Sequence, residues 1–452
     1  MTRIGRVGSI VLLLAALPVA ARAGMMAPCS APEMFPGAGV TVFVFPYVDH
    51  TSQESRQIES PVGTELAGLI QIDTLLAISR FGNVASIRLM GRPGDCRPER
   101  VLAELLDRFG PGRPGRAVIM VWGRIFRIDK DLYVQSYASF RRFVRDDPGD
   151  AIQLPLGDRT LVGQLATQTI AFAPRHVSEQ DLAQIRDRYG RENVVHQEPN
   201  EGSPGRPLLT LFPDGARPAY YVSDVLDDWI RIQANSGQGG WVLARGMLGE
   251  QSLSTRLPEM RFVEGVAGYF SVRDKVDARR SELAGSALRA FEESPLNRTE
   301  PTALAVSMQL RGLITLLAQR QSPAAFDEAG SLFTRAAALL PSNSLAGNLA
   351  AVATTYREWQ TPGQQLDFQA AVNRFWTSIA ANPNDRTALT NCWTVFTVAR
   401  TPEFRNRFSF PPESNDETLG RKASAMEQVQ IDGTQVSLSP LKPVVPWPAP
   451  TR

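Results

Sequence analysis

The sequence is poor in the residues that most often carry chemistry. Only three cysteines and three histidines occur among its 452 residues. The cysteines lie far apart, which excludes a zinc knuckle and a C-x-x-C redox pair. The histidines, His50, His176 and His196, are not spaced at i, i+4 from one another or from a cysteine. We therefore predict no metal site and no cofactor.

Strong charge bias and catalytic signatures are also missing. Lysine and arginine number 48 against 46 aspartates and glutamates, a formal net charge of +2. Nucleic-acid binding needs clustered basic residues, so no nucleic-acid partner is expected. The chain contains no G-x-S-x-G elbow or Walker A loop, and no G-x-G-x-x-G fingerprint that follows a predicted strand and opens a predicted helix. We predict a protein that is not an enzyme.

Residues 1–23 have the pattern of a secretory signal peptide. Two arginines precede the apolar run Ile10–Ala16, and Ala21-Arg22-Ala23 matches an A-x-A cleavage site. The alternative is an uncleaved amino-terminal anchor. We expect a periplasmic or secreted protein with no integral membrane span after signal removal, because no later segment reads as a span. A chain of this length is expected to form two to four domains.

Residues 38–145 alternate between strand and helix patterns. Strands are predicted at Val40–Val48, Val84–Met90 and Ala117–Trp122, helices around 66–76 and 101–109, and a hairpin with Gly123–Ile128 and Leu132–Phe143 on either side of a turn at 129–131. This order predicts a small α/β domain with a mixed sheet. The stretches VTVFVFPYVDHT, GTELAGLIQIDTLLAIS and VIMVWGRIFRIDKDLYVQSYASF resemble the small α/β domain of TolB and of the CsgG curli-secretion proteins. The resemblance implies a fold and no activity.

Residues 146–207 are polar and begin and end in turn-forming residues. We predict a connector with some local structure, including a helix over Ser178–Arg188 that Ser178 caps.

Residues 208–248 contain short strand patterns separated by turn residues. The segment LLTLFPDGARPAYYVSDVLDDWIRIQANSGQGGWVLAR resembles a bacterial SH3-like β-barrel. Trp229 and Trp241 lie in strand patterns on either side of a glycine-rich turn. A barrel this small has few core positions, so each tryptophan is either core or part of a binding groove.

Residues 275–411 read as an α-helical repeat domain. Phe326, Ala329, Phe333 and Ala336 before Pro341, and Phe368, Ala371, Phe375 and Ile379 before Pro383, resemble the second helix of a tetratricopeptide repeat. The two prolines are 42 positions apart, longer than the usual repeat. The tail, 412–452, is polar and then proline-rich, so we expect it to be disordered or extended.

The fold class expected is therefore multidomain α+β. It comprises a small α/β mixed-sheet domain, an SH3-like β-barrel and an α-helical repeat domain. Six aromatic residues are candidates for contact with a partner: Tyr221, Trp229 and Trp241 in the barrel, and Tyr356, Trp359 and Trp376 in the repeats. For each, helix or barrel packing is the alternative fate.

The cysteines leave two interpretations open. Cys29 and Cys96 would pair in an oxidising compartment, while Cys392, in an apolar helix pattern, reads as a buried thiol. In the other interpretation Cys96 is a nucleophile with His176 or His196 as its base.

We predict an exported, non-catalytic scaffold or adaptor. Its SH3-like and repeat modules would bind a protein partner or a cell-envelope polymer such as peptidoglycan. The alternative is a cell-wall hydrolase, or a regulator of one, whose SH3-like domain targets peptidoglycan.

Overall fold

The structure is a computed structural model. It describes residues 29, 34–51, 61–91, 96–109, 116–129, 131–143, 151–165, 169–178, 180–181, 183–184, 194–207, 219–234, 237–244, 257–274, 279–294, 296, 298–319, 322–410, 430–431 and 434–435. The predicted signal peptide lies outside the described residues. So does most of the predicted tail, apart from a short antiparallel pairing of Gln430–Ile431 with Thr434–Gln435.

The described chain folds as a mixed sheet with helices packed on it. The strands are β1 (Val40–Val44), β2 (Val48–Asp49), β3 (Val84–Arg88), β4 (Arg116–Ile128), β5 (Asp131–Phe143), β6 (Ala151–Leu156), β7 (Arg159–Gln164), β8 (Ile170–Ala171), β9 (Arg175–His176), β10 (Val194–His196), β11 (Gly205–Pro207), β12 (Ala219–Leu226), β13 (Trp229–Ala234) and β14 (Gly239–Leu243). Two further short strands, Leu366–Asp367 (β15) and Phe408–Ser409 (β16), pair with each other.

Nine α-helices are present within the described residues. They are α1 (Pro61–Ser79), α2 (Pro98–Phe109), α3 (Glu259–Asp274), α4 (Arg279–Glu292), α5 (Pro301–Ala318), α6 (Pro323–Leu339), α7 (Ser344–Gln360), α8 (Phe368–Ala381) and α9 (Arg386–Arg400).

One sheet of twelve strands runs through most of the strand-forming sequence. Its order is β11-β10-β14-β13-β12-β3-β1-β4-β5-β8, with β2 also paired to β4 and β9 to β5. Strand β1 pairs in parallel with β3 and β4, and β4 and β5 form a long antiparallel hairpin. The predicted mixed sheet is therefore confirmed. Two of the predicted strands, Ala117–Trp122 and Gly123–Ile128, are one continuous strand, β4.

The predicted connector, 146–207, is instead rich in strands. It contributes β8, β9, β10 and β11 to the main sheet, and β6 and β7 as a separate two-stranded hairpin. Sequence analysis missed these strands because they are short and lie between polar turn residues. In the predicted helix, residues 180–181 and 183–184 are helical, and the Ser178 hydroxyl accepts from the Asp181 N–H at 3.0 Å.

The described strands of 208–248 do not close into a separate barrel. Strands β12, β13 and β14 form an antiparallel meander whose first strand pairs with β3 of the α/β domain. The meander is thus an extension of the main sheet, because the edge of β3 offers backbone partners that a closed barrel would have to supply itself. Residues 208–218 and 245–248, which include the first strand of the predicted barrel, lie outside the described residues.

The main sheet has two different faces. Helices α1 and α3 cover the inner face, where Val42, Val84 and Ile119 belong to the largest apolar core. Helix α2 and the Cys29–Cys96 disulfide cover the middle of the outer face, packing on Phe43 and Met120. Among the described residues, α2 is the only helix that contributes side chains to this outer apolar cluster.

The helices from α3 onward form an array of two layers. Contacts link α3 to α4, and then each of α5 to α9 to the next. Helices α3 and α5 also contact strands of the main sheet, whereas α7 and α9 contact β6 and β7. The predicted helical region is confirmed, but the array begins at Glu259 and not at 275.

One ion pair and one buried hydrogen bond join the array to the sheet. The Arg175 guanidinium donates to both carboxylate oxygens of Glu300 at 2.9 Å, directly before α5. The Ser136 hydroxyl of β5 donates to Glu259 at the start of α3 at 2.6 Å. Since Glu259 and Glu300 are buried, these contacts compensate for the lost hydration of their carboxylates.

Helices α1 and α5 are long and apolar enough to cross a membrane by length and composition. The sequence analysis did not identify them as such. In the structure 78% and 72% of their apolar windows are buried, because they are the core helices under the sheet and inside the array.

Candidate functional site

Three of the six candidate aromatic residues lie together on the outer face of the sheet. Tyr221, Trp229 and Trp241 belong to neighbouring strands β12, β13 and β14, and Arg231 lies directly across from Trp241. All three rings are partly exposed, while their strand neighbours Tyr220, Ile230 and Val242 point into the core. We call this group of four residues the extension surface.

Local contacts orient the rings of the extension surface. Tyr221 stacks on Phe35 with ring centroids 5.5 Å apart, and its hydroxyl donates to Asn83 at 3.3 Å. Trp229 meets the ring of His196 edge-on at 5.3 Å. Partial burial raises the pKa of the Tyr221 hydroxyl, so this group stays a neutral hydrogen-bond donor at neutral pH.

A second row of aromatic residues occupies the other end of the same outer face. Trp122 stacks on Tyr137 at 5.9 Å, and Phe126 stacks on Tyr133 at 5.9 Å. Sequence analysis did not identify these residues. The signal was available, because the two-residue turn after Ile128 sets a register in which these four side chains form cross-strand pairs.

The three candidates in the helical array have different fates. Tyr356 and Trp359 are buried, Tyr356 against Phe326 and Trp359 under the guanidinium of Arg407, which lies 4.2 Å from the ring. Both therefore pack in the core and do not line a surface. Trp376, on α8, is 50% exposed and lies on the layer of the array away from the β6–β7 hairpin.

The inner layer of the array binds the β6–β7 hairpin through two buried asparagines. The N–H of Val162 donates to Asn391 Oδ1 at 2.7 Å, and Asn391 Nδ2 donates to the Val162 carbonyl at 2.6 Å. Asn348 Nδ2 donates to the same carbonyl at 3.0 Å and its Oδ1 accepts from Asn391 at 2.8 Å. Both backbone groups of Val162 are thus satisfied by side chains from α7 and α9. Sequence analysis missed these residues, since a lone asparagine in a helix carries no pattern.

A polar cleft of about 670 Å³ continues from this contact. It lies where α7 and α9 begin and is lined by Gln164, Ser342–Leu345, Ala381–Asn382 and Asn384–Thr387. The cap residues Asn343 and Asp385 use their side chains on the first turns of their own helices. Gln164 of β7 accepts from the Thr387 hydroxyl at 2.9 Å at the border of the cleft.

The cysteine predictions can be settled. Cys29 and Cys96 form a disulfide, and Cys392 is a buried thiol that is not part of a disulfide, as predicted. Cys96 in this bonded state has no thiolate for nucleophilic attack. Among the described residues, no group of three histidine, cysteine or acidic side chains could hold a metal ion.

One buried carboxylic acid has a strongly perturbed pKa. Burial raises the pKa of Glu259 to about 7, although the Ser136 hydroxyl and Arg175 favour its ionised form. The Tyr47 hydroxyl donates to Ser136 at 3.1 Å and completes the chain of polar groups. Glu259, Ser136 and Tyr47 are all fully buried, so no substrate can reach them in this fold.

The fold and these surfaces define a protein with a mixed α/β sheet and a helical array, and the array binds strand β7 of the same chain. In comparisons with known proteins, no family model matches the chain, and no curated protein or solved structure matches it.

Proposed function

We propose that this chain is an exported, non-catalytic scaffold or adaptor that binds a protein partner or a cell-envelope polymer. The carrying observation is the extension surface, where Tyr221, Trp229 and Trp241 stand beside Arg231 on one sheet face. Tyrosine, tryptophan and arginine are the residues that most often dominate binding energy at protein interfaces. Aromatic rings of this kind also present flat apolar area at low cost in side-chain entropy.

The finer assignments belong to this proposal. They are the kinship of the α/β domain with TolB and CsgG proteins, of 208–248 with SH3-like modules, and of the array with tetratricopeptide repeats. The Cys29–Cys96 disulfide supports export, since such bonds persist in oxidising compartments. The hydrolase alternative is weaker, because the Cys96 sulfur is bonded to Cys29 and the buried Glu259 is out of reach.

The test compares a variant that lacks two tryptophans with a control variant that lacks one. Trp229→Ser with Trp241→Ser removes the extension surface, and Trp376→Ser removes an exposed ring elsewhere. Each mature protein is sedimented with purified peptidoglycan and, separately, crosslinked in its native cells. We expect the double variant to lose at least about tenfold in recovery of its target while Trp376→Ser retains it, because truncating a central anchor typically costs more than 1 kcal/mol.

The two readouts identify the class of target. Loss of sedimentation in the double variant alone identifies the polymer, and loss of a crosslinked protein identifies a protein partner. If both variants behave like the unmodified chain in both assays, the extension surface is not the binding site and the proposal is wrong.

A further inference from the structure

We infer that the β6–β7 hairpin is an intramolecular ligand that fills a strand-binding groove between α7 and α9. Its release would open that groove to an extended segment of a partner. The inference deepens the proposed binding role of the helical array and rests on it. None of the residues of this groove belongs to the extension surface.

The groove recognises backbone and not a particular side chain. Asn391 both accepts from and donates to Val162, and Asn348 donates to the same carbonyl. Any residue except proline offers the same N–H and C=O groups in an extended strand. The two asparagines also bond to each other, so each is held in place when the strand contacts it.

Apolar side chains of the hairpin fill the rest of the groove. Ile152, Leu154 and Leu161 share one face of the hairpin and are fully buried. Gly163, on that same face, lies so close to the array that an added Cβ would come within 2.7 Å of a Leu349 methyl group. The ligand class is therefore an extended strand with aliphatic residues at alternate positions and a small residue where it crosses α7.

The hairpin and the main sheet share no backbone pairing. Strands β6 and β7 pair only with each other among the described strands, while β5 before them and β8 after them belong to the main sheet. On the edge of β7 that faces away from β6, the backbone groups of Val162 bond to side chains of the array. A tethered segment of this kind competes at an effective concentration of millimolar order, so it would mask the groove from weaker ligands.

The experiment releases the hairpin and supplies it again from outside. In the full mature chain, Leu154→Asp with Leu161→Asp puts two charges into the apolar contact and leaves every residue of α7 and α9 unchanged. The matched control, Pro155→Asp, places a charge at an exposed position of the same strand. The probe is a fluorescent peptide of residues 151–164, and its binding is followed by fluorescence anisotropy.

We expect the release variant to bind the peptide at least about tenfold more tightly than the unmodified chain and the Pro155→Asp control, because the tethered competitor is gone. Adding Asn391→Leu to the release variant should abolish binding. A peptide methylated on the Val162 nitrogen, which keeps all side chains but cannot donate to Asn391, should also fail to bind. Equal binding of the methylated peptide, or no binding to a folded release variant, would overturn the inference.

A measurement on the unmodified chain covers the case in which the release variant does not fold. In native-state hydrogen exchange, residues 151–164 should exchange at least about tenfold faster than the central turns of α7 and α9, because the hairpin opens without unfolding the array. Equal protection of hairpin and helices would show that the hairpin is a fixed part of the core. Neither assay involves Trp229 or Trp241, so failure here is distinct from failure of the proposed function.

Discussion

The helical array and the three-stranded extension of the sheet treat their aromatic residues differently. In the array, Tyr356 and Trp359 are buried, and only Trp376 among the three candidates remains at the surface. In the extension, Tyr221, Trp229 and Trp241 are all partly exposed on one face.

The geometry of the two elements explains the difference. A helix in a two-layered array meets neighbours on several sides, so most of its large side chains find a buried position. An antiparallel strand sends alternate side chains to opposite faces, and a sheet covered on one face leaves every second residue on the other. An aromatic residue at such a position stays available for contact. Predictions that an aromatic residue is exposed are therefore more reliable for a strand of a sheet with one covered face than for a helix.

The largest effect on stability is expected when the disulfide is removed, because it holds together the segments that cover the middle of the outer face. Replacing both Cys29 and Cys96 by serine should lower the free energy of unfolding by about 4 kcal/mol, since the bond closes a loop of 67 residues. Urea unfolding with and without reductant measures this. The unmodified chain should be sensitive to reductant and the double variant insensitive. Equal sensitivity would mean that the bond does not stabilise the cover.

The contrast within the array can be tested with two tryptophans. Trp359→Ala should destabilise the protein by about 3 kcal/mol, because it empties a buried site under Arg407. Trp376→Ala should change stability by less than about 0.5 kcal/mol, since half of its surface is already in water. Urea midpoints of the two variants provide the comparison. Similar losses for both would contradict the burial difference.

The burial of Glu259 under the inner face of the sheet should make the stability of the protein depend on pH. The pKa of Glu259 is raised from 4.5 to about 7 by burial, so the folded chain binds more protons than the unfolded chain between these values. The free energy of unfolding should therefore fall as pH rises through this window, by up to about 3 kcal/mol. Glu259→Gln, which stays neutral, should lack this fall when urea unfolding is compared at about pH 5 and about pH 8. Exposed Glu403→Gln is the control, and a Glu259→Gln variant with the unmodified slope would refute the assignment.

Smaller losses of stability than those expected for the disulfide, Trp359 and Glu259 are predicted at the extension surface. Trp229→Ser and Trp241→Ser should each cost about 1 kcal/mol, because part of each ring is exposed and the inward residues Ile230 and Val242 keep the core. Thermal unfolding followed by circular dichroism measures this. A loss of about 3 kcal/mol or more in the free energy of unfolding would show that Trp229 and Trp241 are core residues like Trp359.

Local pattern was enough to predict much of the fold. The alternation of apolar residues in 84–90 and the helical spacing in 66–76 correspond to β3 and α1. The turn predicted at 129–131 is correct in place but one residue too long, because Asp131 already belongs to β5 and pairs with Ile128. Asp129 has a positive φ of 57°, which aspartate and asparagine adopt more readily than other residues except glycine. Short strands such as β8 and β10 were not predicted, since two or three residues are too few to show a hydrophobic periodicity.

The candidate site was only partly accessible to sequence reasoning. Trp229 and Trp241 were selected by residue type, and only the structure shows that they lie on the face opposite to Ile230 and Val242. Asn348 and Asn391 could not be selected, because their role depends on Val162, which lies more than 180 residues away along the chain.

Sequence by itself determined the short-range features: the periods of strands and helices, the turn residues and the cysteines able to pair. Only the tertiary structure decided that 219–243 extends the α/β sheet and that 151–164 lies in the helical array. The reason is physical. An unpaired strand edge must find backbone partners somewhere, and many edges and groove side chains offer equivalent hydrogen bonds. Which of them is used depends on the packing of the whole chain.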